Sequence, residues 1–205
     1  MITIEKLRCK ADWEMVIEGV RNAMNSWDKS DTWYGSNGTA ILGSNDLKLM
    51  KNLNKAGDEE CKFMRTIPVS VRITAPLYWW KEMDTYKIGT VRMSCSTMHK
   101  IHAKEFELSD FSTDRMSIEE MDLLDKTIDR LNELRYNYIE TKDKNTWYKM
   151  IQILPSCYMQ RATLFMNYAV LKNIYRQRKN HKLDEWKVFC KAIEELPYSE
   201  LFTGE

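Results

Sequence analysis

The sequence predicts a helix-rich α+β fold in a single domain over residues 1–205. Three observations carry this. Apolar residues recur at spacings of three and four through several long windows, the period of a helix with one buried face. Two segments, 2–7 and 62–74, read as strands. Four prolines and seven glycines in 205 residues leave few breaks, so the helices should be long. With 43% hydrophobic and 11% aromatic residues the chain can fill a sizeable core.

The elements follow in order. Residues 2–7 form a charged strand-like opening, unlike a signal peptide. A helix is expected over 12–24, with Trp13, Val16, Ile17, Val20 and Met24 on its apolar side. Residues 25–43 gather Ser, Asp, Asn and three glycines and read as loop. A helix over 45–55 begins at a Ser44 or Asn45 cap and stops before Gly57. Over 62–74 Phe63, Ile67, Val69 and Val71 share one parity, the mark of a strand. Ala75-Pro76 closes it and opens an aromatic helix, LYWWKEMDTYK. Residues 89–115 are polar and irregular, with short strands. Ser117 and Glu120 have capping-box spacing and start a long helix over 118–141. Further helices are expected over 146–153, 158–179 and 183–195.

Composition narrows the function classes. Charged residues nearly balance, with net charge +1, so no global field attracts nucleic acid or an anionic membrane. No run approaches the ~20 apolar residues of a membrane span. Five cysteines, odd in number and without C-x-x-C, read as reduced thiols in a cytoplasmic protein. The two common phosphate loops, G-x-x-x-x-G-K-[ST] and G-x-G-x-x-G, are absent.

The candidate site residues stand out against this background. At ~100° per residue Asn167, Leu171, Ile174, Arg178 and His181 fall on one stripe. Asn and Arg on an apolar stripe need partners, and a ligand can supply them. Arg178 also centres a basic group with Lys172, Arg176, Lys179 and Lys182. The plainer alternative is a solvated helix end whose cations complement the helix dipole. His181 in that turn can touch a ligand or cap carbonyls. His99 and His102 stand at i, i+3, but no further ligand has supporting spacing, and no metal is assigned. Cys95 lacks an evident activating base and reads as a buried thiol. Tyr78, Trp79 and Trp80 read as core rather than as a stacking platform.

Two segments together resemble the flavin-dependent thymidylate synthases. In that family a strand ending in Ala-Pro leads through an aromatic helix to R-H-R-x-x-S-x-N-E-x-S-x-R-Y. Here VSVRITAP, ending at Pro76, precedes LYWWKEMDTYKIGTVRMSCSTM. Later the family has Leu-Pro, an N-x-x-x-L-x-N-x-x-x-x-R helix and a Trp. Here Leu154-Pro155, Asn167, Leu171, Asn173, Arg178 and Trp186 keep that order. VRNAMNS, residues 20–26, is similar to the family's A-R-x-S turn.

The signature itself is altered. Laid without gaps from Ala75-Pro76, R-H-R falls on Thr85, Tyr86 and Lys87. The first Ser falls on Thr90, N-E on Arg92-Met93, the second Ser on Cys95 and R-Y on Thr97-Met98. The family's Gln before the signature is Glu82.

The resemblance implies a mostly helical domain with a small antiparallel sheet, assembled as a homotetramer with sites between subunits. It implies FAD as cofactor, a folate carbon donor, and a dUMP-like pyrimidine deoxynucleotide that is methylated or hydroxymethylated. By position, Arg178 polarises the pyrimidine carbonyl and is the catalytic candidate. Lys87, Thr90, Glu82, Arg178 and Cys95 meet the nucleotide. Asn167, Asn173, Tyr86 and His181 meet the cofactor. The loss of signature arginines removes charge-assisted bonds to phosphate. A second reading follows from that loss: a catalytically inactive nucleotide binder on the same scaffold, for example a viral protein of the host cytoplasm that sequesters a nucleotide messenger. A nucleic-acid module built on residues 176–182 is weakest, because Asp184 and Glu185 follow at once.

Overall fold

The computed structural model describes residues 1–36 and 38–204. Its elements run β1 (Thr3–Cys9), α1 (Trp13–Asn22), β2 (Trp33–Tyr34), β3 (Ala40–Ile41), α2 (Ser44–Ala56), β4 (Pro68–Pro76) and α3 (Leu77–Met83). Then follow β5 (Val91–Ser94), α4 (Ile118–Thr141), α5 (Lys144–Ile153), β6 (Met159–Asn167), α6 (Tyr168–Arg178), α7 (Asp184–Glu194) and α8 (Glu200–Thr203). The main sheet has the order β1-β4-β6-β5, and β2 pairs antiparallel with β3. This is a helix-rich α+β fold with a small sheet. Among the described residues no helix is long and apolar enough to cross a membrane.

The chain divides into two compact units. One comprises Met1–Glu5, Arg72–Thr85 and Arg92–Thr163; the other comprises Lys6–Val71, Tyr86–Val91 and Leu164–Glu205.

The first unit is built around α4. Leu124, Ile128, Leu131 and Leu134 recur at helical spacing and are buried with Ile101, Phe106, Phe111 and Met150. Each such side chain contributes roughly 1.5–3 kcal/mol of burial. The Ser117–Glu120 capping box forms as expected. The helix ends at Lys142, whose φ of 54° is left-handed, and Asp143 caps α5 through the backbone N–H groups of Asn145 and Thr146. Trp79 and Trp80 are core, as read; the Trp80 indole N–H is shared between the carbonyls of Ala75 and Gln160.

In the second unit, α1 buries Trp13, Val16, Ile17 and Val20. Trp13 meets Tyr198 edge-on at 4.8 Å, and Tyr168 meets Phe202 at 4.9 Å. The Tyr168 hydroxyl donates to the Pro197 carbonyl. Arg21 of α1 and Asp46 of α2 form a buried ion pair, N to O 2.6 Å.

Three expectations change. The helix expected over 158–179 begins only at Tyr168. Residues Met159–Asn167 are the strand β6, with Gln160, Ala162, Leu164 and Met166 buried and Arg161 and Phe165 exposed. Gln, Ala, Leu and Met favour helices, but sheet pairing overrides that preference. Residues Lys62–Thr66 form a 3₁₀ turn instead of strand, because Phe63 and Met64 are buried consecutively and the period of two fails there. The loop expected over 25–43 holds the β2–β3 pair, and Met24 is exposed.

Candidate functional site

The candidate site is assembled on α6 within the second unit. Asn167 is the helix N-cap: its Oδ1 accepts from the Val170 backbone N–H at 3.1 Å. Leu171 and Ile174 are fully buried on the face that follows, and Arg178 is the last helical residue. The stripe read from sequence therefore holds for these four residues. At 1.5 Å per residue Asn167 and Arg178 lie about 16 Å apart along the axis. They can meet two ends of a long ligand, or two ligands, but not one ring. His181 lies beyond the helix. Its Nδ1 accepts from the Leu183 backbone N–H at 3.2 Å, so it caps an amide rather than carbonyls.

Arg178 is positioned by two rings. Its Nε donates to the Tyr86 hydroxyl at 2.8 Å. Its Cζ lies 5.6 Å from the Tyr86 ring centre and 4.9 Å from that of Trp186, both cation–π contacts. The two rings meet edge-on at 6.0 Å. The Tyr86 hydroxyl in turn donates to Gln177 Oε1 at 3.0 Å, and Gln177 Nε2 donates to Asn173 Oδ1 at 2.9 Å. One chain of hydrogen bonds thus joins Arg178, Tyr86, Gln177 and Asn173. Asn173 is exposed and does not share the face of Asn167 and Arg178.

The turn after Tyr86 packs on the start of α6. Gly89 has φ +78°, and a Cβ there would stand 3.0 Å from Val170 Cγ2 and 3.5 Å from Asn167 Nδ2. Only glycine meets both demands without strain. The turn closes with the Thr90 N–H on the Lys87 carbonyl at 3.3 Å. Lys87 is exposed and makes no ion pair among the described residues. Thr90 Oγ1 is buried with no hydrogen-bond partner. Such an atom costs about 1–3 kcal/mol, and a ligand donor would satisfy it.

Two further candidates belong to the first unit. Glu82 is half-buried on α3, and its carbonyl accepts from the Thr85 hydroxyl at 2.8 Å. Cys95 follows β5 and is exposed, which corrects the buried reading. Its backbone N–H and carbonyl pair with the Arg161 carbonyl and Gln160 Nε2, while the thiol faces solvent because β5 is a sheet edge. Among the described residues no three His, Cys, Asp or Glu side chains converge on a metal position. Sequence reasoning missed three contributors. In the sequence Trp186 shows only its order, Gln177 carries no signal, and Gly89 is only a glycine in a polar stretch.

The chain matches no protein-family model and no curated protein. Solved structures do match over all of it. One is the flavin-dependent thymidylate synthase ThyX of Helicobacter pylori complexed with FAD and dUMP: TM-score 0.68, 15% identity, 100% of this chain and 97% of that chain. A second structure of that enzyme with FAD and dUMP matches with the same TM-score and covers 96% of that chain. The UMP/dUMP methylase PolB of Streptomyces cacaoi, bound with 5-Br dUMP, matches at TM-score 0.64 and 13% identity, covering 100% of this chain and 95% of that chain. At such identities the likeness is one of architecture, and it covers both compact units: this chain has the flavin-dependent thymidylate synthase fold.

Proposed function

We propose that the chain binds a pyrimidine nucleotide on this scaffold and, with FAD, methylates or hydroxymethylates it. The observation that supports the reading most is Arg178, fixed between Tyr86 and Trp186 at the end of α6, in a fold shared with a ThyX complexed with dUMP and a methylase bound with 5-Br dUMP. A guanidinium held in one plane can polarise a ring carbonyl and stabilise charge that develops on its oxygen. The Tyr86 hydroxyl sets that plane through Nε. Lys87 offers a cation to phosphate, and Thr90 Oγ1 offers an unpartnered hydroxyl beside it in the turn. Asn167 keeps its amide nitrogen for a ring while Oδ1 caps the helix. The orphaned Thr90 oxygen fits an absent ligand. FAD, when bound, would supply electrons and a folate donor the carbon. Asn173, Tyr86 and His181 would lie on the cofactor side. A homotetramer in the cytoplasm completes the reading.

A second reading is favoured by a specific observation. Thr85 and Tyr86 replace two of the three cations of the family signature, and Tyr86 takes the Nε of Arg178. That arrangement supports a nucleotide binder without turnover. The purified protein's absorbance at the flavin band, before and after adding FAD, and calorimetry with dUMP separate the readings. A flavin band with dUMP binding supports the enzyme. A colourless protein that binds nucleotide supports the inactive binder. A colourless protein that binds neither FAD nor any nucleotide overturns both.

A further inference from the structure

A concave site lies over α1, and none of its lining residues belongs to the candidate nucleotide site. It is a cavity of about 230 Å³ lined by Glu14, Ile17, Glu18, Arg21, Trp27 and Tyr34, together with two hydroxyls. Those hydroxyls are spent: Ser30 and Thr32 donate to Asp46 Oδ2 at 2.7 and 2.6 Å. Arg21 is spent too. Its Nε and terminal nitrogen bind Asp46 Oδ1 at 2.7 and 2.6 Å, and the same terminal nitrogen donates to the Lys29 carbonyl at 3.0 Å. The lining positive charge is therefore matched from behind by a buried carboxylate.

What remains toward the opening is two carboxylates and two rings. Glu14 and Glu18 stand one helical turn apart on α1 and form no ion pair among the described residues. Like charges at this spacing repel. Trp27 and Tyr34 are 51% and 53% exposed, so each ring presents surface to the cavity mouth. The Trp27 indole donates to Asn22 Oδ1 at 2.8 Å, and the neighbouring Glu14 carboxylate pushes the Tyr34 hydroxyl's pKa up. Ile17, 4% exposed, gives the floor an apolar surface. Ring faces attract cations, and a pair of carboxylates favours a cation over a neutral group of equal size.

We propose that this cavity binds an organic cation, a substituted ammonium or guanidinium group, with Glu14 and Glu18 supplying charge and Trp27 and Tyr34 supplying ring faces. The cation relieves the repulsion between the two carboxylates, and its apolar body rests on Ile17. The volume suits a small molecule or a single side chain. An anion is disfavoured by both glutamates.

Calorimetric titration of the full chain with choline, with guanidinium, and with 3,3-dimethylbutan-1-ol as the neutral isostere of choline tests the assignment. Choline should bind about tenfold more tightly than the isostere. Glu14→Gln and Glu18→Gln should each weaken choline several-fold while leaving the melting temperature and dUMP titration unchanged, because both side chains are exposed. Trp27→Leu should weaken choline and the isostere together. Equal affinity for choline and the isostere, no binding of either cation, or full choline binding by Glu18→Gln would overturn the proposal. Each of these results is independent of whether the chain binds a nucleotide.

Discussion

Two loops of the second unit handle polar groups in opposite ways. The loop after α1 wraps Asp46 completely: the hydroxyls of Ser30 and Thr32 and the backbone N–H groups of Asp31 and Thr32 all reach Oδ2, while Arg21 takes Oδ1. The turn from Tyr86 to Thr90 ties one end to Arg178 and leaves Lys87 in solvent and Thr90 Oγ1 without a partner. A fully satisfied buried network fixes a structure. A turn that keeps an unsatisfied hydroxyl, pressed on a helix start through a glycine, is where a ligand has something to add.

The sharpest break of this contrast is at Asp46. Asp46→Ala leaves the Arg21 guanidinium buried without its counter-charge and should cost about 3–5 kcal/mol in chemical denaturation. The carboxyl also gives a pH signature. Burial pushes its pKa up, but hydrogen bonds from Thr32, Ser30 and Arg21, with the Arg21 charge, outweigh burial and hold it below the usual value. A depressed folded pKa contributes stability above about pH 4, which is lost as pH falls through the folded value. Denaturation midpoints should therefore drop at acid pH in the native protein, and drop less in Asp46→Asn.

At the other loop, Gly89→Ala meets both a left-handed φ and Val170, and should cost about 1–2 kcal/mol. It should also weaken nucleotide binding, as read by dUMP calorimetry. Thr90→Val sharpens the comparison most. Removing an unpartnered hydroxyl should leave stability unchanged or raise it by up to about 1 kcal/mol, while nucleotide affinity falls. Loss of stability without loss of affinity would make Thr90 a structural residue like Thr32.

Smallest in energy is a chemical contrast among the thiols. Burial pushes the Cys190 thiol up to about 12, so it resists alkylation at neutral pH. Cys95 is exposed and should react first with iodoacetamide, and Cys95→Ser should remove that fast phase with little effect on melting.

Local signals were legible wherever the residues that decide an element are neighbours in sequence. The α4 helix matches its expected range because its apolar period and its Ser117–Glu120 cap lie within one stretch. Asn167 and Arg178 were found from spacing, and both border the buried stripe of α6. Neighbouring β6 reads as helix in the sequence because its alternation uses helix-favouring residues, and only pairing in the sheet settles the choice.

By itself the sequence determined a helix-rich α+β chain, most helix positions, the core aromatics and the order of residues along α6. Tertiary structure alone decided what those residues touch. Tyr86 stands 92 residues before Arg178, yet its hydroxyl sets the guanidinium plane. Asp46 stands 25 residues after Arg21 and neutralises it. Period and capping act between neighbours along the chain, whereas hydrogen bonds and ring contacts depend on distances that only the folded chain fixes.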